Sequence, residues 1–228
     1  MDLTALYNQY SKEKVDKAIE VLTYRNPDIL PKEDSDEHPT IYVFRHGQST
    51  DNLSLTFSGQ RNSDITETGK EQAKVLAPQL KDKKINMLIA SDQIRAIKTL
   101  EIAMSQNKYA SKLKIEQEPR IRERSYGLLE GYNKLELYLW NEKLLHAFRR
   151  HYDVISPDGE SLKMVCERVA EFCDEIVPLI KNANINVAVS CHGNSIRGFR
   201  KYFENLEEDE TAKLETPLGQ DYASYVIK

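Results

Sequence analysis

The chain has 228 residues, 40% of them hydrophobic and 30% charged, with 32 Lys and Arg against 36 Asp and Glu for a formal net charge of −4. That length allows one large domain or two small ones, and a core big enough to fold without disulfides or a structural metal. The charge balance argues against a general nucleic-acid binder, whose footprint is a basic excess, and apolar runs as short as 41–44 and 87–90 fall far short of the roughly 20 residues of a spanning helix.

The first residues, Met1-Asp2-Leu3-Thr4, continue charged and show no apolar core of a signal peptide. Three cysteines, Cys166, Cys173 and Cys191, are odd in number and widely spaced. They fit a reducing cytoplasm better than a disulfide scaffold or a zinc site.

Leu3, Leu6, Tyr7, Tyr10, Ala18, Ile19 and Leu22 recur at roughly helical spacing, which predicts one or two amphipathic helices over 1–24. Asn26-Pro27, Pro31 and the charged run 32–37, ending in His38-Pro39, read as a linker. The pattern changes at Thr40. Residues 41–44 are β-branched and aromatic, the mark of a buried strand. Thr68-Gly69-Lys70-Glu71 has the spacing of a capping box and opens a helix to Leu80. Strands over 85–90, 113–117, 185–191 and 222–227 then alternate with helices over 92–106, 134–150, 161–181 and 195–205. This alternation predicts an α/β fold, a three-layer α/β/α sandwich with a mostly parallel central sheet. Residues 1–39 read as a helical extension with its linker, and 40–228 as one domain.

Ligands of parallel sheets bind beyond the carboxyl ends of the strands. The first strand is followed by Arg45-His46-Gly47-Gln48-Ser49-Thr50, the second by Ser91-Asp92-Gln93-Ile94-Arg95, the third by Arg122-Glu123-Arg124-Ser125-Tyr126-Gly127, and the fourth by His192-Gly193-Asn194-Ser195-Ile196-Arg197. Two histidines, a carboxylate and several arginines therefore converge on one sheet edge. Arginine forks match phosphate oxygens and stay charged at working pH, and helix N-termini add backbone donors. The turns at Gly47 and Gly193 would let backbone approach a phosphate. Among such donors a histidine can attack phosphorus, arginines can stabilise charge on the transferring group, and a glutamate can shuttle the proton of the alkoxide. None of this needs a metal, and no metal-ligand spacing is visible.

Arg45-His46-Gly47 resembles the signature of the histidine phosphatase superfamily, with Gln48 where Glu is commoner. Asn52, Phe57-Ser58-Gly59, Ser91 with Arg95-Ala96, 122–127 with Glu130-Gly131 and Asn133-Lys134, 148–153, 159–162 and 192–197 continue the resemblance in order from Thr40 onward. The set is most similar to the cofactor-dependent phosphoglycerate mutases. That resemblance implies a phosphoglycerate mutase-like domain with His46 as phosphorylated nucleophile and Glu123 as general acid and base. It implies that Arg45, Arg95, Asn52 and His192 hold the phosphate beside the Ser58-Gly59 loop, with Gly193 and Asn194. Tyr126, Lys134, Arg149 and Arg150 would then grip the carboxylate and second phosphate end of a phosphoglycerate.

The expected activity is interconversion of 3- and 2-phosphoglycerate, with 2,3-bisphosphoglycerate as phosphoryl primer and no metal. The expected partner is a small phosphorylated substrate, with no nucleic acid and no membrane, and a homo-oligomer is left open. A phosphomonoesterase using the same phosphohistidine is the second reading, and a non-catalytic phospho-ligand binder the third. Lys134, Arg149 and Arg150 separate the first from the second, since a general phosphatase does not need them. Three departures bear on the choice: residues 1–39 have no mutase counterpart, the stretch from Asp153 to Gly159 is short, and the mutases' C-terminal tail has no match up to Lys228. An uncovered site would leak toward hydrolysis, unless the N-terminal extension covers it.

Overall fold

The structure is a computed structural model that describes residues 3–23 and 26–228; residues 1, 2, 24 and 25, at the margins of the predicted N-terminal helices, lie outside it. Two helices form in that stretch, α1 (Thr4–Gln9) and α2 (Lys12–Thr23). Val15, Ala18 and Leu22 recur every three or four residues, so one face of α2 is apolar and is buried.

Strand β1 (Thr40–Arg45) is buried along its length up to Phe44. Its side chains alternate, so Ile41 and Val43 face one side of the sheet and Tyr42 and Phe44 the other. After α3 (Thr50–Leu53) and α4 (Glu67–Leu80) come β2 (Ile85–Ala90), α5 (Ile94–Met104) and β3 (Ile115–Gln117). The chain continues through α6 (Lys134–Arg150), α7 (Leu162–Ala183), β4 (Asn186–Cys191), α8 (Gly193–Glu204), α9 (Glu208–Lys213) and β5 (Tyr222–Val226). The strands lie in the order β3-β2-β4-β1-β5, all parallel except β5, which runs antiparallel to β1. Ile41, Val43, Val187, Val189 and Tyr225 pack with Val165, Val169 and Phe172 of α7 and Phe199 of α8. Tyr42, Phe44, Leu88 and Ala188 pack on the opposite face with Leu76 and Leu80 of α4 and Leu100 and Met104 of α5. These are the three layers the alternation predicts.

Register positions the site. Arg45 pairs with Cys191, and Ala90 with Ser190, so His46, Ser91 and His192 leave the ends of three adjacent strands almost abreast.

Several local readings shift. Helix α4 is capped by Thr66, whose hydroxyl accepts from the Gly69 amide at 3.0 Å; Thr68 lies inside the first turn, and the 68–71 box does not form. Strand β3 starts at Ile115 because Leu113 is drawn into a turn by its bond to the Ala110 carbonyl. Helix α6 breaks at Asn141 (φ −153°, ψ 88°), whose side chain caps the second half through the Leu144 amide. Helix α8 starts two residues early, since extended His192 serves as its N-cap.

The stretch read as a linker is fastened. The Ser224 amide donates to the Pro31 carbonyl and the Glu33 amide to the Ser224 carbonyl, so residues 31–33 line the outer edge of β5, while the Ile227 amide donates to the Pro39 carbonyl on the β1 side. Pro31 lacks an N–H group, which keeps the segment from completing a ladder there. Helix α2 packs its buried face into a cluster with Leu135, Leu139, Leu145 and Phe148 of α6, together with Phe57 and Tyr126.

Candidate active site

His46 is 2% exposed and its Nδ1 lies 2.6 Å from the Gly47 carbonyl. A carbonyl only accepts, so Nδ1 carries the proton and Nε2 keeps its lone pair. That lone pair faces the Arg95 Nε at 3.3 Å. Burial first, then Arg95 and Arg45, hold the His46 pKa well below its ordinary value, so the ring is neutral at pH 7. Gly47 is required here for packing: a Cβ would stand 2.2 Å from the Gly69 carbonyl of α4. Its amide donates 3.0 Å to the Thr99 hydroxyl, which ties the loop to α5.

His192 is fully buried with its ring centroid 4.9 Å from that of His46. Its Nε2 lies 2.6 Å from the Ser91 Oγ, which accepts from the Gln93 amide. With the Ser91 hydroxyl assigned as donor to Nε2, the proton of the neutral ring sits on Nδ1. That Nδ1 is buried without a partner, and so is Arg45 Nε. Burial, then Arg95 and His46, depress the His192 pKa strongly. Two buried N–H donors without a protein partner, beside a neutral imidazole lone pair, are costly to leave unsatisfied and are the natural complement of a tetrahedral anion.

Arg95, fully buried near the start of α5, donates from Nη1 to the Arg61 carbonyl at 2.7 Å and from Nη2 to the Gly59 carbonyl at 2.9 Å. Burial pulls its pKa down to about 10, still cationic at neutral pH. Gly59 sits at φ +48°, where a Cβ would strike the Glu130 carboxylate. Asn52 closes a capping box with Ser49, its Oδ1 accepting from the Ser49 amide at 3.2 Å, which leaves its amide nitrogen as a donor.

Three donors converge on Oε1 of Glu123: the Arg124 amide at 2.8 Å, the Asn194 amide at 3.2 Å and the Asn194 Nδ2 at 2.8 Å. Burial acts to raise its pKa, but Arg45, these donors and Arg95 outweigh it, and the carboxyl stays below the ordinary range. Gln93 accepts from the Glu123 amide at 3.0 Å and donates to the Gly59 carbonyl at 3.1 Å, so one buried amide couples the Glu123 segment to the Gly59 loop.

Asn52, Ser58, Gly59, Tyr126, Lys134, Arg149, Arg150, Gly193 and Asn194 all line one cavity of about 90 Å³ with Arg45 and Glu123. This is room for several waters or a small anion. His46, Arg95 and His192 lie buried behind that lining. Lys134, at the start of α6, donates to the Thr56 carbonyl, while Arg149 and Arg150 come from its last turn.

The cavity also has walls to which the sequence reading gave no role, although it placed Arg197 in the segment after the fourth strand. Arg197 donates from Nη1 to the Asn194 Oδ1 at 3.1 Å and from Nη2 to the Leu214 carbonyl at 2.6 Å. Burial pushes its pKa down to about 10. Its place three residues beyond Asn194 on α8 was a legible signal, since i and i+3 share a helix face. Leu214, Glu215 and Thr216 complete the wall. They follow α9 in an irregular segment, where no periodicity or motif marks them. Gln93 and Ser91 stand in the segment after β2, but their roles depend on what faces them.

The family model of the histidine phosphatase superfamily (branch 1) matches residues 41–227. The chain is 35% identical over 210 residues to a 2,3-bisphosphoglycerate-dependent phosphoglycerate mutase of Erythrobacter litoralis (strain HTCC2594), covering 80% of this chain and 90% of the mutase. It is 36% identical over 184 residues to the protein of the same name from Rhizobium meliloti (strain 1021), covering 79% and 86%. In fold it resembles mycobacterial glucosyl-3-phosphoglycerate phosphatase solved with VO3, with TM-score 0.72, 21% identity, and coverage of 82% of this chain and 92% of that one. Bacillus stearothermophilus YhfR superposes with TM-score 0.72 at 24% identity, covering 82% and 90%. Among the described residues no helix is long and apolar enough to cross a membrane.

Proposed function

The chain belongs to the histidine phosphatase superfamily, and on that premise we propose that it is a cytoplasmic phosphoglycerate mutase that moves a phosphoryl group between the 3- and 2-hydroxyls of glycerate through His46. One observation carries this reading. One cavity is lined by the ionised Glu123 carboxylate and by a cationic group of Lys134, Arg149 and Arg150, and the neutral His46 imidazole lies buried behind its wall. A phosphomonoester needs only the first end; a phosphoglycerate fills both. Residues 40–228 form the catalytic domain on this reading, and residues 1–39 are an extension.

The steps follow from the protonation states. With His46 phosphorylated, the substrate hydroxyl attacks phosphorus, the N–P bond breaks and His46 leaves as neutral imidazole. Glu123, ionised beforehand, takes the hydroxyl proton. In the return direction the His46 Nε2 lone pair attacks the phosphoryl group, the P–O bond breaks, and Glu123 returns the proton it holds to the departing oxygen. Arg45, Arg95, Asn52 and His192 stabilise charge on the phosphoryl oxygens throughout, the unpaired Arg45 Nε and His192 Nδ1 being aimed donors. The same orphaned donors, with the distal arginines, fit 2,3-bisphosphoglycerate, which would rest one phosphate on Arg45 and His192 and the other on Arg149 and Arg150. When bound, that primer supplies the phosphoryl group that His46 carries.

A phosphomonoesterase with water as acceptor is the second reading. Its support is that Arg150 already faces an internal carboxylate, Glu215, so part of the distal charge is taken. The test is to incubate the protein with 3-phosphoglycerate, with and without 2,3-bisphosphoglycerate, and follow 2-phosphoglycerate against free phosphate. Primer-dependent 2-phosphoglycerate is expected. Phosphate release alone would transfer the assignment to the phosphatase.

A further inference from the structure

Three consecutive residues of the cavity wall each take up one cavity arginine. The Leu214 carbonyl accepts from Arg197, the Glu215 carboxylate pairs with Arg150, and the Thr216 carbonyl accepts from Arg45 Nη1 at 3.1 Å. The middle one brings a formal negative charge, in addition to that of Glu123, into a cavity lined by several cations. Its backbone is held on both sides by the N-terminal segment: the Asp28 amide donates to the Glu215 carbonyl at 3.0 Å, and the Glu215 amide donates to the Asp28 Oδ2 at 2.6 Å.

We infer that Glu215 is a specificity-determining residue, an internal carboxylate seated on Arg150 that the second anionic group of a substrate must displace. The side chains of the pair are 23% and 27% exposed, so the carboxylate can swing toward solvent without being stranded in a dry interior. Burial acts to raise the Glu215 pKa, but Arg150 and Arg197 outweigh it, so the group competes as a full charge at neutral pH. A phosphomonoester with no second anion leaves the pair intact. A substrate carrying a carboxylate or a second phosphate exchanges one anion for another at Arg150 and gains less than an open arginine would give. Asp28 makes the effect a property of the N-terminal segment, because it fixes where the carboxylate stands. The inference rests on the mutase reading only in placing the second anion at Arg150.

The test is calorimetric binding to His46→Ala protein, which cannot transfer phosphate, with and without Glu215→Gln. The ligands are 3-phosphoglycerate and inorganic phosphate. Glu215→Gln is expected to lower the Kd for 3-phosphoglycerate by about threefold to tenfold, between the values for exposed and buried ion pairs. The Kd for phosphate is expected to change less than twofold. In an Arg150→Gln background the same substitution should shift 3-phosphoglycerate binding less than twofold, which ties the effect to the pair. Asp28→Ala, which leaves Glu215 unaltered but removes the acceptor of its amide, one of the two bonds that hold its backbone, should also tighten 3-phosphoglycerate selectively. Unchanged or weaker 3-phosphoglycerate binding, or equal tightening of both anions, overturns the inference. Selective tightening in a protein that makes no 2-phosphoglycerate would overturn the mutase reading and leave this one standing. A wild type that makes 2-phosphoglycerate, with no tightening in Glu215→Gln, would do the reverse.

Discussion

Ser91→Ala removes one hydroxyl and should damage phosphoryl transfer through a group that is itself left in place. Ser91 and His192 are both fully buried and 2.6 Å apart, so no solvent replaces the lost bond. Stranding the His192 Nε2 costs about 1–3 kcal/mol. For a chain of this length, about 2 kcal/mol corresponds to roughly 4–8 °C in Tm. The functional cost has another origin. The hydroxyl holds His192 in the tautomer whose proton sits on Nδ1, the atom without a protein partner. Without it the other tautomer becomes accessible and presents a lone pair where a donor is needed. Loss of one such donor typically costs 10²–10³ in rate, and partial loss through tautomer mixing should cost about 10–100-fold in kcat. Steady-state kinetics on 3-phosphoglycerate and on p-nitrophenyl phosphate, paired with thermal melts, measure both effects. A Tm lowered as stated with kcat within twofold of wild type would refute the tautomer argument and leave Ser91 a packing residue.

Glu123→Gln should cut turnover by about 10²–10⁴ while phosphate binding persists; loss of binding as well would mean that the carboxylate serves structure. Arg149→Ala with Arg150→Ala should raise KM for 3-phosphoglycerate well beyond its effect on p-nitrophenyl phosphate hydrolysis, and equal losses on both substrates would count against a distal anion end. Stability should fall with acid in a specific window. His46 and His192 have folded pKa values depressed by burial from 6.5, so below about pH 6.5 the unfolded chain binds two protons that the folded one does not. The slope approaches about 1.4 kcal/mol per pH unit for each histidine, continuing down to the folded values, with no contribution above the window. Urea unfolding at pH 7 and pH 5 checks this, and a His46→Gln, His192→Gln variant with the same pH dependence would disprove it.

Much of the candidate site was legible in the sequence because its signals are local. A run such as Ile41 to Phe44 has no stable place except a doubly covered strand, and an abrupt Arg-His-Gly after it must lie at the strand's end. The neighbours of such a run settle the matter within a few residues, which is why β2 has the bounds the pattern predicts. Where two local choices compete, the outcome depends on what lies nearby in space. Thr66 wins the α4 cap over Thr68 while its hydroxyl also donates to the Gln48 side chain at 2.9 Å, a contact that exists only after the 46–50 loop has folded back.

The sequence by itself determined the chemical inventory: two histidines, one glutamate and a set of arginines at the ends of parallel strands. Tertiary structure alone decided their states and their opponents. Burial made the histidines neutral, Ser91 met the His192 Nε2, and Arg45 with the donors on Oε1 brought the Glu123 carboxyl below its usual range. It also turned the proline-rich linker into a fastened edge and carried Glu215 to Arg150. The physical reason is one of range. Periodicity, capping and strand propensity act between residues a few positions apart, whereas desolvation and charge pairing depend on which distant segments come into contact, as Asp28 and Glu215 do across most of the chain's length.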